Sequence, residues 1–358
     1  MKVLVKKSIL ESIVANVNPY LEKKDLSSIN SHIFISANGD TLNIKATDHE
    51  IGLAYKVSNN ITIKEEGEAT ANGTKLLQII KGLKDGDITL ETEDKYIFIR
   101  QNNSKYKLPM QNPSDFPAFP NTQDKSKFEI NAGIISRSLK KISPCIDTQS
   151  PKIEITGALL DIQDQKINLV ATDNKRLSIY KLNLALGKEF KLIIPKKAIT
   201  EIQKLFFEDI EIYYDENIFI AISPNFEFFT KLINGNYPNY EKIIKDDFKN
   251  TLNLDRDKMV EGIKTISMLS ESIKITFSND HILFESHNED NSEAKTRVNC
   301  ELNLEESFSF VVKTKFILDF LSSIENTEFK LGFNESTLPF VLESGELKTI
   351  IVPMNESR

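Results

Sequence analysis

Two short polar turns carry the side chains of this sequence that are best suited to chemistry. In the first turn, Asp48, His49 and Glu50 follow one another and could supply metal ligands or a general acid and base. Successive residues on a strand point to opposite faces, so these three side chains would not converge on one ion or substrate. A hydrolase that uses Asp48, His49 or Asp173 with a metal ion is nevertheless one alternative function. Metal-dependent turnover that is lost when these residues are mutated would support it.

No catalytic motif accompanies these acids. A Walker-type glycine loop is absent, because Asn72-Gly-Thr-Lys75 has one glycine and the wrong spacing. Neither Gly-x-Ser-x-Gly nor His-Glu-x-x-His occurs. Cys145 and Cys300 stand far apart without a Cys-x-x-Cys pairing, which argues against a disulfide framework or a zinc site. We therefore predict no cofactor, no metal and no catalytic residue. The scattered histidines are His32, His49, His281 and His287.

The second turn, Thr172–Arg176, joins two apolar runs that alternate with period two, which predicts a half-buried β-hairpin. Arg176 is one of six arginines among 45 basic residues, so a planar guanidinium is favoured at this position. A lone copy of this turn would simply stabilise a hairpin. The same Ala-Thr-Asp sequence recurs at Ala46–Asp48 after another strand, and this duplication indicates a repeated unit. The alternating residues are Ile167, Leu169, Ala171, Leu177 and Ile179.

Length and composition bound the number of domains and the class of protein. A chain of 358 residues is long enough for two or three domains of roughly 100–200 residues each. Its 40% hydrophobic and 27% charged residues are ordinary for a globular protein, and no apolar run approaches the roughly 18 residues of a membrane span. Met1–Lys7 lacks the apolar segment of a signal peptide, so we predict a cytoplasmic protein without a membrane partner. A net charge of -7 argues against uniform coating of nucleic acid but allows binding through one basic face.

Six segments have apolar residues at helical spacing and therefore predict amphipathic helices. Their starts recur about every 60 residues, so pairs of helices recur about every 120 residues and the chain contains three repeats. This number agrees with the domain count expected from length. The predicted helices are Ser8–Val17, Lys75–Leu83, Ile134–Ile142, Ala198–Phe206, Met259–Ile266 and Phe316–Ile324.

Each repeat also ends in the same way. After the second helix comes an alternating hairpin, and then a proline segment that marks a boundary because proline breaks strand pairing. We place the boundaries near residues 122 and 247, which gives domains 1–122, 123–247 and 248–358. Each domain would combine two helices with antiparallel sheets in an α+β fold. The hairpins are Asp87–Ile99, Asp209–Ile222 and Glu328–Val341, and the proline segments are Phe116–Phe119, Tyr237–Tyr240 and Val352–Met354.

Charge is distributed unevenly over these repeats. Basic residues mark the helices, whereas acids dominate the hairpin tips. Lysines on a single helix would only keep that helix soluble, but their recurrence on equivalent helices favours a locally basic face that could bind a polyanion. The third repeat differs from the first two at the Ala-Thr-Asp turn, because its corresponding segment, His281–Asp290, lacks that sequence. The basic residues are Lys75, Lys81, Lys84, Arg137, Lys140, Lys141, Lys196, Lys197, Lys204, Lys313 and Lys315.

The threefold repeat and three separated motifs together resemble the bacterial sliding clamp, the beta subunit of DNA polymerase III. The motifs are Ala171-Thr172-Asp173-x-x-Arg176-Leu177, Asn234–Tyr240 and the terminal Val352-Pro353-Met354, and the resemblance covers essentially the whole chain. It implies a head-to-tail homodimer whose six domains close into a ring, with twelve helices lining the hole and sheets outside. Double-stranded DNA would pass through the hole without sequence recognition, held by topology and by diffuse lysine charge.

The resemblance also implies where partners bind. In the family the three motifs meet in a pocket for short hydrophobic peptides of the DNA polymerase III catalytic subunit, the clamp loader and other clamp-motif proteins. The implied pocket residues are Ile155, Thr172, Lys175, Arg176, Leu177, Pro238, Lys242, Ile243, Val352, Pro353 and Met354. The implied DNA contacts are Lys23, Lys24, Gln149, Lys152 and Lys197. The implied dimer interface joins Met268 and Leu269 of one copy to Ile79, Leu83 and Tyr106 of the other.

The sequence departs from the family at two places near this pocket. The usual Gly-His before the arginine is Asn174-Lys175 here, and the chain ends in Met354–Arg358 where a basic residue and leucine are common. A non-enzymatic sliding clamp is nevertheless the leading hypothesis, because it accounts for the repeat, the charge segregation and the proline segments together. A repeat-built scaffold that binds peptides but never DNA is the second hypothesis. If removal of the helix lysines did not change how much protein is retained on DNA, that result would support the scaffold.

Overall fold

The computed structural model describes residues 1–207, 209–244, 247–287 and 292–354. Within them the same order of elements occurs three times, with one additional strand in the first repeat. The first repeat contains β1 (Lys2–Lys6), α1 (Lys7–Val17), β2 (His32–Asn38), β3 (Thr41–Thr47), β4 (Ile51–Val57), β5 (Ile61–Glu65), β6 (Gly67–Asn72), α2 (Gly73–Gly82), β7 (Asp87–Glu93), β8 (Tyr96–Gln101) and β9 (Ser104–Pro109). The second contains β10 (Ser126–Glu129), α3 (Ala132–Ile142), β11 (Gly157–Gln163), β12 (Lys166–Thr172), β13 (Arg176–Leu182), β14 (Phe190–Pro195), α4 (Lys196–Leu205), β15 (Glu211–Tyr214), β16 (Ile218–Ile222) and β17 (Phe226–Lys231). The third contains β18 (Asn250–Asp255), α5 (Arg256–Ser267), β19 (Ser272–Phe277), β20 (His281–Ser286), β21 (Lys295–Asn299), β22 (Phe308–Lys313), α6 (Thr314–Ser323), β23 (Glu328–Phe333), β24 (Phe340–Ser344) and β25 (Leu347–Ile351).

The structure confirms all six predicted helices and the predicted hairpins. Most helices begin two or three residues before the apolar pattern does, and at two of them a side-chain cap fixes the first turn. The Asn72 side chain accepts a hydrogen bond from the backbone N–H of Lys75 at the start of α2, and Asp255 does the same for Lys258 at α5. The divergent hairpin of the third repeat is formed by β20 and β21, but residues 288–291 of its connection lie outside the described residues.

The chain divides into two compact units, Met1–Ala132 with Glu208–Leu232, and Gly133–Phe207 with Ile233–Arg358. The first unit contains a five-stranded sheet in the order β5-β1-β7-β8-β9 and an eight-stranded sheet in the order β10-β15-β16-β17-β4-β3-β2-β6. The second contains an eight-stranded sheet in the order β14-β11-β12-β13-β25-β24-β23-β18 and a four-stranded sheet in the order β21-β20-β19-β22. Neighbouring strands are antiparallel throughout.

Both eight-stranded sheets join strands of two repeats. In the first unit β17, the last strand of the second repeat, pairs with β4, the fourth strand of the first repeat. In the second unit β25, the last strand of the third repeat, pairs with β13, the fourth strand of the second repeat. The second repeat therefore contributes to both units. The domain boundaries near residues 122 and 247 follow the sequence repeat and stay a prediction.

The helices bury one apolar face against their own sheets and leave their basic residues outside. In α1 the buried residues are Leu10, Ile13, Val14 and Val17, which lie at helical spacing on one side. Most of the predicted basic positions, including Lys75, Arg137 and Lys315, are exposed to solvent. In the part of the chain that the structure describes, no helix is long and apolar enough to cross a membrane.

Candidate functional site

The Thr172–Arg176 turn is held by its own side chains. The Thr172 hydroxyl donates to the carbonyl of Arg176 at 2.7 Å and accepts from the N–H of Asn174 at 3.2 Å. The Asp173 carboxylate accepts from the N–H groups of Lys175 and Arg176 at 3.0 and 2.9 Å. Asn174 adopts a φ of 65°, a left-handed conformation that asparagine tolerates better than most residues. The Thr-Asp-Asn sequence therefore fixes the course of the backbone from β12 into β13.

Arg176 points into the unit, where its guanidinium is almost completely buried. Its Nε donates to Asp173 Oδ2 at 3.0 Å and its Nη2 donates to the carbonyl of Pro144 at 2.7 Å. Its Nη1 lies 2.8 Å from Asp319 Oδ2 as an ion pair whose angle departs from that of a directed hydrogen bond. The guanidinium also covers the ring of Phe316, 4.3 Å from the ring centroid. Arg176 thus joins the turn to α6.

The charge of Arg176 is maintained in spite of this burial. Burial alone would lower the pKa of Arg176, but the sulfur of Cys145 and the carboxylates of Asp319 and Asp173 outweigh it and leave that pKa above its ordinary value. The same burial raises the pKa of the Cys145 thiol, which contacts the Ser178 hydroxyl at 3.1 Å. These groups form a paired polar network, so their role here is to position β13 and α6.

The opposite face of β13 belongs to an apolar cluster. Leu177 pairs directly with Ile350 of β25, and both side chains are buried. Tyr240 closes the cluster, with its hydroxyl donating to Asp161 Oδ2 at 2.6 Å and accepting from Asn168 at 2.9 Å. Burial and the Asp161 carboxylate both raise the pKa of Tyr240 above its ordinary value, so this hydroxyl stays protonated. The remaining members are Leu159, Val170, Ile179, Ile193 and Val341, with Ile233, Tyr237, Ile244 and Phe248 packed against them.

Three exposed apolar side chains, called the rim below, belong to segments that adjoin this cluster, and they are Val352, Met354 and Ile243. The N–H of Val352 donates to the carbonyl of Lys175 at 2.9 Å, which attaches the C-terminal segment to the turn. Met354 donates its N–H to the carbonyl of Val311 at 2.7 Å, so the segment continues alongside β22. Val352, Met354 and Ile243 all expose about two fifths of their surface, at 42%, 39% and 44%. Large exposed apolar groups beside a buried apolar cluster are typical of a surface that receives a hydrophobic ligand.

The structure therefore separates the eleven predicted pocket residues into two groups. Ile155, Thr172, Arg176 and Leu177 are buried, and of these Leu177 belongs to the apolar cluster whereas Arg176 points away from it. The other seven reach the surface, and they are Lys175, Pro238, Lys242, Ile243, Val352, Pro353 and Met354. The motif Asn234–Tyr240 contained Tyr237 and Tyr240, although neither was among the predicted pocket residues. Sequence reasoning missed Asp319, whose only local signal is that it is the single acid of the apolar helix α6.

A cleft of about 710 Å³ opens on the side of β13 that carries the Arg176 side chain. Arg176, Lys313 and Phe316 line it together with Gln149, one of the predicted DNA contacts. Gln149 lies on a loop whose N–H groups are bound by side chains, since the N–H of Gln149 donates to Asp147 Oδ1 at 3.0 Å. Lys152 on the same loop and Lys197 on α4 are exposed.

The other predicted contacts are described within their own units. Lys23 and Lys24 are exposed on the loop after α1 in the first unit. In that unit Tyr106 is exposed on β9, Ile79 is half-buried and Leu83 is buried. In the second unit Met268 and Leu269 follow α5 and expose 88% and 48% of their surface.

The acids of the first turn have a structural use. The Asp48 carboxylate accepts from the N–H groups of Glu50 and Ile51, both at 3.0 Å. Asp173 is engaged in the same way in the second turn. Among the residues that the structure describes, no cluster of three His, Cys, Asp or Glu side chains could hold a metal ion.

Comparison with known proteins identifies the architecture. Family models for the DNA polymerase III beta subunit match the chain three times, the N-terminal domain at residues 1–120, the central domain at 129–239 and the C-terminal domain at 241–355. The beta sliding clamp of Helicobacter pylori is 40% identical over 352 residues, covering 96% of this chain and 94% of that protein. A crystal structure of the Helicobacter pylori beta clamp bound to a DNA ligase peptide superimposes with a TM-score of 0.93 at 37% identity, covering 99% of this chain and all of the other. A Pseudomonas aeruginosa beta subunit shares the fold, with a TM-score of 0.91 at 22% identity over 99% of this chain and 100% of the other. With three clamp domains of mixed helix and antiparallel sheet, the chain belongs to the DNA polymerase III beta subunit family, the bacterial sliding clamps.

Proposed function

We propose that two copies of this chain close head to tail into a ring around double-stranded DNA and tether DNA polymerase III and other clamp-motif proteins to it. The ring would act in the cytoplasm as a processivity factor without a catalytic site of its own. By similarity to the family, a separate loader would open it. The observation that carries this proposal is the pairing of strands between successive repeats.

Two pairs of strands follow one rule within the chain. The last strand of a repeat pairs with the fourth strand of the repeat before it, as β17 does with β4 and β25 with β13. In the described part of the chain, the rule leaves two strands at sheet edges, β9 as the last strand of the first repeat and β21 as the fourth strand of the third repeat. If β21 of one copy pairs with β9 of the next, both edge strands become covered. Two copies joined by two such contacts would form a closed ring.

Side chains at the two internal junctions predict which residues would meet in this contact. At the first junction Tyr20, just after α1, packs edge-on against Phe228 of β17 at 6.3 Å between ring centroids. At the second, Cys145 after α3 contacts Ser178, whose hydroxyl contacts Thr349 of β25 at 2.6 Å. The corresponding positions in the third repeat and the first repeat are Leu269 after α5 and Tyr106 of β9. These are two of the predicted interface residues.

Charge supports the same pairing. If β21 and β9 pair in the same register as β13 and β25, Lys107 takes the position of Ile350 and Glu293 takes the position of Leu177. Lys107 and Glu293 then lie directly opposite each other. Opposite charges on directly paired residues stabilise a sheet, typically by roughly 0.2–1 kcal/mol. We expect Lys107→Glu to weaken the dimer and the double variant with Glu293→Lys to restore it. Lys95→Glu, in the β7–β8 turn, is the matched control and should leave the dimer unchanged.

DNA would be held by exposed lysines rather than by a shaped base-reading surface. The predicted contacts Lys23, Lys24, Lys152 and Lys197 are exposed and Gln149 is polar, which suits loose, sequence-independent interaction with phosphates. Topological retention can be measured directly, because a ring stays on circular DNA and slides off linear DNA. Equal loss of protein from circular and linear DNA would contradict the ring. If replacing all four lysines by alanine left retention unchanged, a scaffold that does not use DNA would be favoured.

Partner peptides would bind at the rim formed by Val352, Met354 and Ile243. The exposed apolar rim and the relative bound to a DNA ligase peptide both support this site. Titration with a fluorescent peptide of the Gln-Leu-x-Leu-Phe type tests it on the intact chain and on a chain ending at Ile351. Saturable binding that disappears with the truncation is the expected result. Binding that survives the truncation would move the site elsewhere, and absence of binding to either chain would refute this peptide class as the ligand.

A further inference from the structure

The first unit contains a turn with the same geometry as the one at the peptide site. The Thr47 hydroxyl donates to the carbonyl of Ile51 at 2.9 Å and accepts from the N–H of His49 at 3.0 Å. Asp48 accepts from the N–H groups of Glu50 and Ile51, and His49 has a φ of 72°. Each of these features has its counterpart in the Thr172–Arg176 turn. The two turns are therefore structural copies, although they lie in different units.

The strand junction next to each turn is copied as well. Lys231 donates its N–H to the carbonyl of Glu50 at 2.7 Å, as Val352 does to Lys175 at 2.9 Å. The same register places Gly52 opposite Phe229 in the first unit and Leu177 opposite Ile350 in the second. An outer face equivalent to the peptide site thus exists around Gly52 and Phe229, wholly within the first unit.

Different side chains occupy the two outer faces. A Cβ atom on Gly52 would lie 2.2 Å from Cε1 of Phe229 and 3.0 Å from Cζ of Phe119, so the phenyl rings fill the space that the Leu177 side chain takes in the other copy. Phe119 and Phe229 pack edge-on with centroids 4.9 Å apart, and Lys45 lies 5.3 Å from the centroid of Phe119. The aromatic pair is a packed unit, since neither ring can shift without losing this contact.

The rim of the first face is charged where that of the second is apolar. Lys231 stands at the position of Val352, and its Nζ forms an ion pair with Oε1 of Glu50 at 2.8 Å. Glu50 in turn stands at the position of Lys175. Both side chains are more than half exposed, so the ion pair itself adds little stability. An apolar peptide side chain placed there would meet two hydrated charged groups instead of Val352, and removing their water disfavours binding.

We infer that the outer face around Gly52 and Phe229 is a second copy of the partner-peptide site, which the chain keeps closed with its own Phe229 ring and the Lys231–Glu50 ion pair. The inference rests on the proposed peptide-binding function. It explains why a chain built from repeats would offer its partners one apolar site instead of two. Residues that differ between the copies, and not the turn they share, then decide which face binds.

Transplanting the side chains of the open copy tests this inference. The triple variant Gly52→Leu, Phe229→Ile and Lys231→Val gives the first face the residues found at Leu177, Ile350 and Val352. Native mass spectrometry with the Gln-Leu-x-Leu-Phe peptide should show one peptide per wild-type chain and two per variant chain. The matched control is Lys127→Val with Phe128→Ile, which changes a lysine and a buried phenylalanine of β10 in the same sheet, and it should stay at one.

A reciprocal variant keeps the inference testable if the triple variant does not fold. Leu177→Gly with Ile350→Phe introduces the closed pair into the second face, and a folded dimer without peptide binding is expected. A folded triple variant that still binds one peptide would overturn the inference, as would undiminished binding by the reciprocal variant. A wild-type chain that binds no peptide would instead contradict the proposed function.

Discussion

Leu269 offers the sharpest test of the ring, because its contribution can be estimated from its exposure. The side chain exposes 48% of its surface in the single chain, so its own unit already buries about half of it. Burying a whole leucine side chain stabilises by about 1.5–3 kcal/mol, and contact with Tyr106 of a second copy would therefore add about 1 kcal/mol per interface. A head-to-tail dimer has two such interfaces. Leu269→Ala should cost about 2 kcal/mol of dimerisation, which raises the dissociation constant roughly 30-fold.

A charge at the same position should be far more damaging. Leu269→Glu would bury a carboxylate without a partner, at about 3–5 kcal/mol per interface, and so raise the dissociation constant roughly 10⁴-fold or more. Sedimentation velocity over a wide concentration range measures both variants. Leu338→Glu is the matched control, since Leu338 is 44% exposed in the β23–β24 turn of the same unit. A Leu269→Glu chain that sediments as a dimer at the wild-type concentration would refute the interface.

The remaining predictions concern stability. Gly52→Ala should destabilise the first unit by about 1–3 kcal/mol, because the new Cβ would overlap the Phe229 ring, and chemical denaturation measures the loss. Arg176→Lys should cost about 2–4 kcal/mol in the same assay, because an ammonium group cannot reproduce the buried contacts to Pro144 and Asp319 together. Burial lowers the pKa of His32 below its ordinary value of 6.5, so the unfolded chain takes up a proton first and stability should fall as pH drops through that value. His32→Gln should flatten this acid limb in a series of unfolding curves.

Each of these stability predictions has a control in the same chain. Gly82→Ala meets no atom within 4 Å and should leave stability unchanged or raise it. Lys175→Arg changes an exposed neighbour of Arg176 and should be neutral, and His49→Gln should keep the acid limb. Equal losses from Gly52→Ala and Gly82→Ala would contradict the packing argument. An acid limb that persists in His32→Gln would assign the pH dependence to other groups.

Local patterns in the sequence were sufficient to predict the helices and hairpins, but not to predict which distant strands and side chains they contact. Helical and alternating periodicity locates α1, α6 and the β12–β13 hairpin, since each pattern depends on one buried face. Pairing of β13 with β25 joins residues more than 160 positions apart, and no local period specifies it. The burial of Arg176 is of the same kind, because its partner Asp319 comes from another repeat. Sequence reasoning therefore identified the turn and assigned Arg176 to the peptide pocket, but it did not anticipate the buried contact of Arg176 with Asp319.

The resemblance contributed what periodicity could not, namely that Leu177, Tyr237–Tyr240 and Val352–Met354 belong to one region. The structure brings these segments together around Ile350 and Tyr240. Which of the region's residues contact a partner, and which lysines contact DNA, depends on molecules outside the chain and stays a prediction. The structure adds a physical reason for the invariant backbone course of the turn in both copies, since Thr and Asp side chains satisfy its N–H groups.

Pairing between repeats also sets the order in which the protein can fold as it is synthesised. β17 begins 169 residues after β4 ends, from residue 57 to residue 226. At about 5–20 residues per second, a ribosome would need roughly 10–30 s to deliver the strand that completes the first eight-stranded sheet. During that interval β4 of the nascent chain presents an uncovered edge, which is the kind of surface that promotes aggregation. Chaperone demand on the ribosome should therefore peak after the first repeat has emerged and fall once residue 231 is available.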